Sequence, residues 1–167
     1  GIYSFEDQLD DYGPSTEPIR VAVDITVEES TIEVDFSRSS DQVPAALNSY
    51  INYTRAYTTF AVKVFCDALL PQNEGGIRPI KTTAREGSFF NPTFPAASGG
   101  RATVQIRIFD AINGALSQAL PHRAMGAFSH WNNPNIGGTD PRTGKSFVMY
   151  DLGFGGYGAR ADSDGPE

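Results

Sequence analysis

Two glycine-rich stretches carry the residue types that proteins use to hold phosphate. Gly138-Thr-Asp-Pro-Arg-Thr-Gly144-Lys145-Ser146 has the glycines, lysine and hydroxyl of a phosphate-binding loop. In such a loop backbone N–H groups cradle the phosphate oxygens and the lysine adds a point charge. The spacing fails, because five residues separate the two glycines where the motif has four. Pro141 removes a backbone donor, and Phe147 to Leu152 reads as a strand rather than as the helix whose N-terminus would face the anion. The expectation is a polar turn ahead of a strand, with Lys145 binding nothing. Gly153-Phe-Gly155-Gly156-Tyr157-Gly158 does fit the spacing of a dinucleotide fingerprint and follows a strand. Residues 159–167 lack a helical pattern, so a glycine-rich turn with a close backbone approach is expected instead.

The remaining chemical groups are sparse. His122 and His130 are the only histidines, with neither His-x-x-x-His spacing nor cysteine partners, so no metal site made from this chain alone is expected. Both are read as ordinary surface or core histidines. Arg107 lies three residues before Asp110 on a helical stripe, which predicts an ion pair. Asp35 falls at a strand end. Cys66 is the single cysteine, which excludes an internal disulfide and a multi-cysteine zinc site. Its apolar helical surroundings predict a buried structural thiol. Catalytic triads are spatial, and linear spacing here assigns none.

The elements that must position these groups follow from hydrophobic period. Residues 1–18 are acidic with interleaved Tyr3, Phe5 and Tyr12, and read as a docked arm with a short strand. Val21, Val23, Ile25 and Val27 alternate with polar residues, as do Ile32, Val34 and Phe36 after a turn near Glu29-Ser30. That is a β-hairpin with one buried face. Over 56–70, Tyr57, Phe60, Ala61, Val64, Phe65, Ala68 and Leu69 follow a 3.6-residue period, closed by Pro71. Over 102–120, Val104, Ile108, Ala111, Ile112, Ala115, Leu116, Ala119 and Leu120 do the same, closed by Pro121. Gly114 interrupts the second helix and predicts a close backbone passage there. Strands are expected after Gly75-Gly76-Ile77-Arg78-Pro79 and over 146–154, with turns at Asn91-Pro92 and Phe94-Pro95. The fold class is α+β, a mixed sheet with hairpins against two main helices, with glycine-rich loops.

Composition bounds the function. The 167 residues hold 13 basic and 20 acidic side chains, a net charge of −7. With no basic run, nucleic acid and anionic membrane surfaces are disfavoured as partners. No apolar stretch approaches the roughly 20 residues that span a bilayer. No basic-then-apolar leader opens the sequence, and a reducing cytoplasm is the expected location. The chain begins at Gly1, ends at Ser163-Asp-Gly-Pro-Glu167 and carries 17 Gly and 11 Pro. It is expected to be one domain, or a segment of a longer polypeptide.

Several stretches together resemble one family, hydantoinase B. They are Tyr3-Ser-Phe-Glu-Asp7 with Asp10-Asp11-Tyr-Gly13, and Val34-Asp35-Phe36-Ser37 with Gln42 and Asn48. Pro71-Gln-Asn73-Glu-Gly75-Gly-Ile-Arg78-Pro79-Ile80 and Glu86-Gly87-Ser-Phe-Phe-Asn91-Pro92 follow. Pro95-Ala-Ala97, the helix running to Leu120-Pro121, Gly155-Gly156-Tyr-Gly158 and Asp164-Gly165 complete the series. Order and approximate spacing match over essentially the whole chain. Arg38 stands where the family usually has a glycine, which questions the local turn. Asn133-Pro134 and Gly137-Gly138-Thr139-Asp140 echo the wording of the family's upstream metal motif, but Asp140 replaces its histidine and no metal ligand is carried over.

The resemblance implies a component of an ATP-dependent hydrolase of cyclic amides, of hydantoin or 5-oxoproline type. The alternatives it leaves open are a subunit of an ATP-dependent ketone carboxylase and a non-catalytic structural subunit of such a complex. A stand-alone ATPase is disfavoured by the two failed phosphate motifs. The implied partners are a hydantoinase A-type ATP-binding subunit and the rest of a hydantoinase B-like subunit. The resemblance implies that the A-type subunit phosphorylates the lactam or enolate oxygen, which would turn a poor electrophile into one with a good leaving group. ATP and a divalent metal are then expected elsewhere in the complex, with no cofactor held by this chain alone. Asn73, Arg78, Asn91, Gly155, Gly156 and Gly158 are the candidates for a substrate or inter-subunit site. Arg78 would hold an anionic group and the amides would orient a carbonyl. Asn73 and Asn91 also sit beside Gly and Pro, where side chains commonly cap turns.

Overall fold

The computed structural model describes residues 1–129 and 131–166, so His130 lies outside the described residues. The chain divides into two compact units, Gly1–Met125 and Gly126–Glu167.

The first unit is a four-stranded sheet with helices on one face. Strands β1 (Ile2–Leu9), β2 (Ile19–Glu28), β3 (Thr31–Asp35) and β4 (Ile80–Thr83) lie in the order β1-β2-β3-β4. The first two pairings are antiparallel and β3–β4 is parallel. A parallel pair needs a long crossover, and α1 (Ile51–Asp67) supplies it. The one-turn helix α2 (Glu74–Ile77) leads into β4, and α3 (Arg101–Leu116) packs on α1, β1 and β2. The acidic arm is thus a full eight-residue edge strand rather than a short one. The β2–β3 loop is two residues long, and Glu29 takes the positive φ (46°) at its first position.

Period two in β2 sends Ile19, Val21, Val23 and Ile25 to the helix side, where all are buried with Val34 of β3. Phe36, Phe89 and Phe90 extend this core, with ring centroids 5.1 Å apart for both Phe36–Phe90 and Phe89–Phe90. The α+β class expected from the sequence is the observed one.

The helices differ from expectation in register and length. Helix α1 begins at Ile51 and ends at Asp67 rather than spanning 56–70. Its buried residues are Thr54, Thr58, Thr59, Ala61, Val62 and Phe65, whereas Phe60 and Leu69 are exposed. Threonines therefore share the inward face, and a purely apolar stripe misplaces it. Thr58 donates to the Thr54 carbonyl (2.8 Å), and the Thr54 hydroxyl donates to the Phe90 carbonyl (2.8 Å). Both hydroxyls are satisfied without solvent, so burial is not penalised. The C-terminus is closed from a distance. The Arg123 guanidinium, on the 3-10 turn Pro121–Arg123, donates to the carbonyls of Phe65 and Cys66. Helix α3 ends at Leu116, four residues before the expected end, and Ala119 and Leu120 are exposed.

Gly114 admits a ring rather than a backbone. A methyl group there would lie 2.7 Å from the Phe5 ring, which rests on α3 from β1. The segment between β4 and α3 is pinned by Asn48, which is fully buried. Its Oδ1 accepts from Val43 N–H (2.9 Å), and its Nδ2 donates to the carbonyls of Val43, Ala45 and Ala97 (2.8, 3.0 and 2.9 Å).

The second unit is built on a hairpin of β5 (Asn135–Thr139) and β6 (Ser146–Tyr150). Residues 140–145 form its tip, with Asp140 N–H donating to the Lys145 carbonyl (2.9 Å) and Gly144 at φ 67°. The near phosphate loop is this polar tip, as its Pro141 and wrong spacing foretold.

Candidate functional site

Asn73 and Arg78 flank α2 at the edge of the first unit. Asn73 is the N-cap of this helix, and its side chain accepts from Gly76 N–H at 3.1 Å. Arg78 closes it through its backbone N–H to the Glu74 carbonyl (2.9 Å). The Arg78 side chain is exposed and makes no hydrogen bond or ion pair among the described residues, so its charge is available to an incoming anion. Asn91 stands in the pinned segment, where Nδ2 donates to the Ala84 carbonyl (3.1 Å) and its carbonyl accepts from Gly87 N–H (2.9 Å). The two asparagines thus make the turn contacts that their Gly and Pro neighbours suggest. Sequence spacing brings Asn73 and Arg78 to one helix turn, while Asn91 belongs to a separate loop.

Beneath α2 lies a cavity of about 170 Å³. Ile32, Val62, Leu70, Ile77 and Ile80 make its apolar walls, with Asn73 and Cys66 among its polar lining. Cys66 is exposed, contrary to the buried thiol expected. The reason is the rotated face of α1, which turns Phe65 inward and leaves Cys66 at the cavity rim. Partial burial there pushes the thiol pKa up, and the nearby Arg123 charge pulls it back. Sequence reasoning missed this cavity, since its walls come from β3, α1, α2 and β4 together.

Arg107 ties the sheet to α3. Its guanidinium meets Asp110 at 3.3 Å, the expected pair, and also Asp7 of β1 at 3.1 Å. His122 is exposed on the 3-10 turn. Among the described residues no three His, Cys, Asp or Glu side chains come together as a metal cage. Asp140 is held by Arg142 at the hairpin tip.

In the second unit the glycines sit in one arm of a long ribbon. Beyond β5 and β6 the same antiparallel register continues through Asn132–Gly153, Ser129–Gly156 and Gly126–Ala159 backbone hydrogen bonds. Trp131 opposes Phe154 (5.8 Å between centroids) and Phe128 opposes Tyr157 (5.0 Å) in that register. Gly155 and Gly158 are glycine because the opposite arm is too near for a side chain. A Cβ on Gly155 would overlap Ser129, and one on Gly158 would overlap Gly126. The close approach was expected, but it occurs along an arm and not in a turn. Gly156 instead offers its carbonyl to Ser129 N–H and Oγ (3.2 and 2.8 Å). The paired aromatics, spaced evenly from the tip, are the signal that reveals the ribbon.

The family description Hydantoinase B/oxoprolinase matches residues 1–167. The chain belongs to this family. The B subunit of a putative D-/L-hydantoinase from a Pseudomonas species is 31% identical over 99% of the chain, which spans 29% of that relative. The ATP-dependent caprolactamase of Pseudomonas jessenii superposes on 99% of the chain with a TM-score of 0.79 and 25% identity, across 29% of the larger chain. A nucleotide-free acetone carboxylase superposes on 99% of it with a TM-score of 0.76, and at 15% identity this likeness concerns the fold alone. The chain therefore spans less than a third of the length of each of these relatives. No helix among the described residues is long and apolar enough to cross a membrane.

Proposed function

We propose that this chain is a component of a cytoplasmic ATP-dependent hydrolase that opens cyclic amides of the hydantoin or 5-oxoproline type. The observation that carries the reading is the superposition of 99% of the chain on an ATP-dependent caprolactamase at 25% identity. Its working partners are a hydantoinase A-type ATP-binding subunit and the rest of a hydantoinase B-like subunit. In this reading no cofactor is bound by this chain alone, and ATP and a divalent metal are held elsewhere in the complex. What supports this is that the near phosphate loop is a hairpin tip with Pro141 in it.

Within that complex the chain's part is to shape a wall. Arg78 holds an anionic group at the C-terminal end of α2, Asn73 and Asn91 keep the surrounding loops in place, and Gly155, Gly156 and Gly158 belong to a wall whose two ribbon arms lie close at Gly155 and Gly158 and are tied through the Gly156 carbonyl. The ketone-carboxylase reading is second, supported by the shared fold with acetone carboxylase.

Isolation from source cells under native conditions, with intact masses of all co-purifying chains, tests the assembly. Assay of the isolate for ADP release then tests the chemistry. The expected result is an A-type subunit in the complex and ADP formed together with ring-opened amide from hydantoin or 5-oxoproline. ADP formed only with a ketone and bicarbonate would select the carboxylase, and isolation of this chain without large partners would overturn both readings.

A further inference from the structure

The ribbon of the second unit has features that a solvent-facing hairpin lacks. Farther along the ribbon Tyr157 N–H donates to the Pro166 carbonyl (3.2 Å), but among the described residues neither β5 nor β6 pairs with a third strand, and a two-stranded sheet is at best marginally stable alone. In the β5–β6 register, Ile136, Phe147 and Met149 share one face and Val148 and Tyr150 share the other. All five are exposed, Val148 at 79% and Tyr150 at 60%. Arms 126–139 and 146–159 together contain a single charged side chain, Asp151. Exposed edges are normally protected by lysine, proline or a bulge, and Ser146–Tyr150 carries none of these.

We propose that β6 is completed by a strand from the rest of a hydantoinase B-like subunit, its outer edge pairing backbone to backbone while Val148 and Tyr150 are buried. This rests on the reading of the chain as one part of such a subunit. The occupant follows from three observations. The caprolactamase chain that superposes on this one, ribbon included, is more than three times as long, so polypeptide is at hand to cover it. The surface is apolar with a single charge, Asp151, and permanent interfaces are the more hydrophobic class. Its unprotected strand edge offers main-chain donors and acceptors, which is the requirement for strand addition.

The test places a photo-crosslinking benzoylphenylalanine at Val148 in the chain expressed in its source cells, with Arg142 at the exposed tip as the comparison position. After irradiation, the joined peptides are sequenced by mass spectrometry. The expected product joins Val148 to a hydantoinase B-type peptide outside these 167 residues. The amides of Ser146–Tyr150 are expected to exchange about tenfold or more slowly in that assembly than in the 167-residue chain alone. Val148→Lys should abolish that protection while leaving the far-UV spectrum of the chain unchanged. Joining to an A-type subunit, to residues 146–150 of a second copy, or to residues 1–125 would overturn the proposal. So would an absence of product with fast exchange of these amides. The cross-link is read without any assay of activity. A B-type product in a complex that opens no cyclic amide would leave this interface standing and end the enzymatic reading alone.

Discussion

Asp24 and Asp35 stand directly opposite each other across the β2–β3 ladder, in a row that runs Ser4, Asp24, Asp35, Thr83 over all four strands. Two facing carboxylates repel. The row tolerates them because each is answered separately. Ser4 Oγ donates to Asp24 at 2.5 Å, and Arg38 grips Asp24 with Nε (2.6 Å) and Nη2 (3.0 Å). Asp35 accepts from Ser37 N–H (3.0 Å), Ser37 Oγ (2.6 Å) and Thr83 Oγ1 (3.0 Å). Arg38 also pairs with Glu6. Its φ is not positive, so the turn does not need the glycine that the family usually places there.

Arg38→Ala should therefore destabilise the first unit by about 1 kcal/mol near neutral pH, a value set by its partial exposure. The Arg38 hydrogen bonds hold the Asp24 pKa below its ordinary 3.8. A depressed carboxylate contributes stability above its unfolded pKa and loses it as pH falls through the folded value. The difference between wild type and variant should shrink on acidification below 3.8. Urea denaturation across that range checks it, and a pH-independent difference would assign the effect to packing.

Gly114 and Phe5 should be coupled. Replacing Gly by Ala inside a helix ordinarily stabilises by about 0.5–1 kcal/mol. Here the methyl group meets the Phe5 ring. In a Phe5→Ala background, Gly114→Ala should recover that gain, and with Phe5 intact it should lose it. A double-mutant cycle with no interaction energy would show that the ring yields freely.

Asn48→Ala should cost about 2–3 kcal/mol, because one buried side chain gives up its bonds to the carbonyls of Val43, Ala45 and Ala97 and to the Val43 N–H at once. Asn48→Asp should be worse near neutral pH, since a carboxylate cannot donate to those carbonyls, and it should recover partly in acid when the carboxyl is protonated. Thermal unfolding of the three proteins at two pH values separates these outcomes.

The two sides of α2 should separate function from folding. In the intact complex Arg78→Ala should slow turnover roughly tenfold or more, the worth of one charge-assisted hydrogen bond, with no change in unfolding midpoint. Asn73→Ala should speed hydrogen exchange at Gly76, whose N–H it caps, and leave the global midpoint nearly unaltered. Unchanged turnover in Arg78→Ala would remove that residue from the site.

Trp131 is the only tryptophan and lies in the ribbon, while the long helices lie in the first unit. Urea unfolding of the 167-residue chain followed by tryptophan fluorescence should reach its midpoint at lower urea than unfolding followed by far-UV helical signal. Coincident midpoints would show that the two units unfold together.

The sheet and both helices were legible because period two and period 3.6 are written in Val, Ile and Phe. The inward face of α1 was not, because Thr54, Thr58 and Thr59 are polar by composition and buried by geometry. Gly114 announced a close contact without naming its partner, since Phe5 arrives from a strand more than a hundred residues earlier. Asn73 and Asn91 showed their turn chemistry in their Gly and Pro neighbours. The cavity was invisible, its walls being drawn from four elements. The strand expected over 146–154 is present as β6, Ser146–Tyr150, while the ribbon as a pair of arms hid for a different reason. Its glycines weaken the strand pattern in one arm, and the pattern is recovered only when Phe128, Trp131, Phe154 and Tyr157 are read as opposing pairs.

That shared register makes the ribbon a counting device. Each described partner from Gly126–Ala159 to Thr139–Ser146 is fixed by distance from the tip. One residue inserted in either arm would turn all side chains beyond it to the opposite face and carry Gly155 and Gly158 away from the positions that demand them. Length can change without penalty only in the tip, residues 140–145. Homologous chains should therefore differ in length at the tip and hold to the same count along the arms.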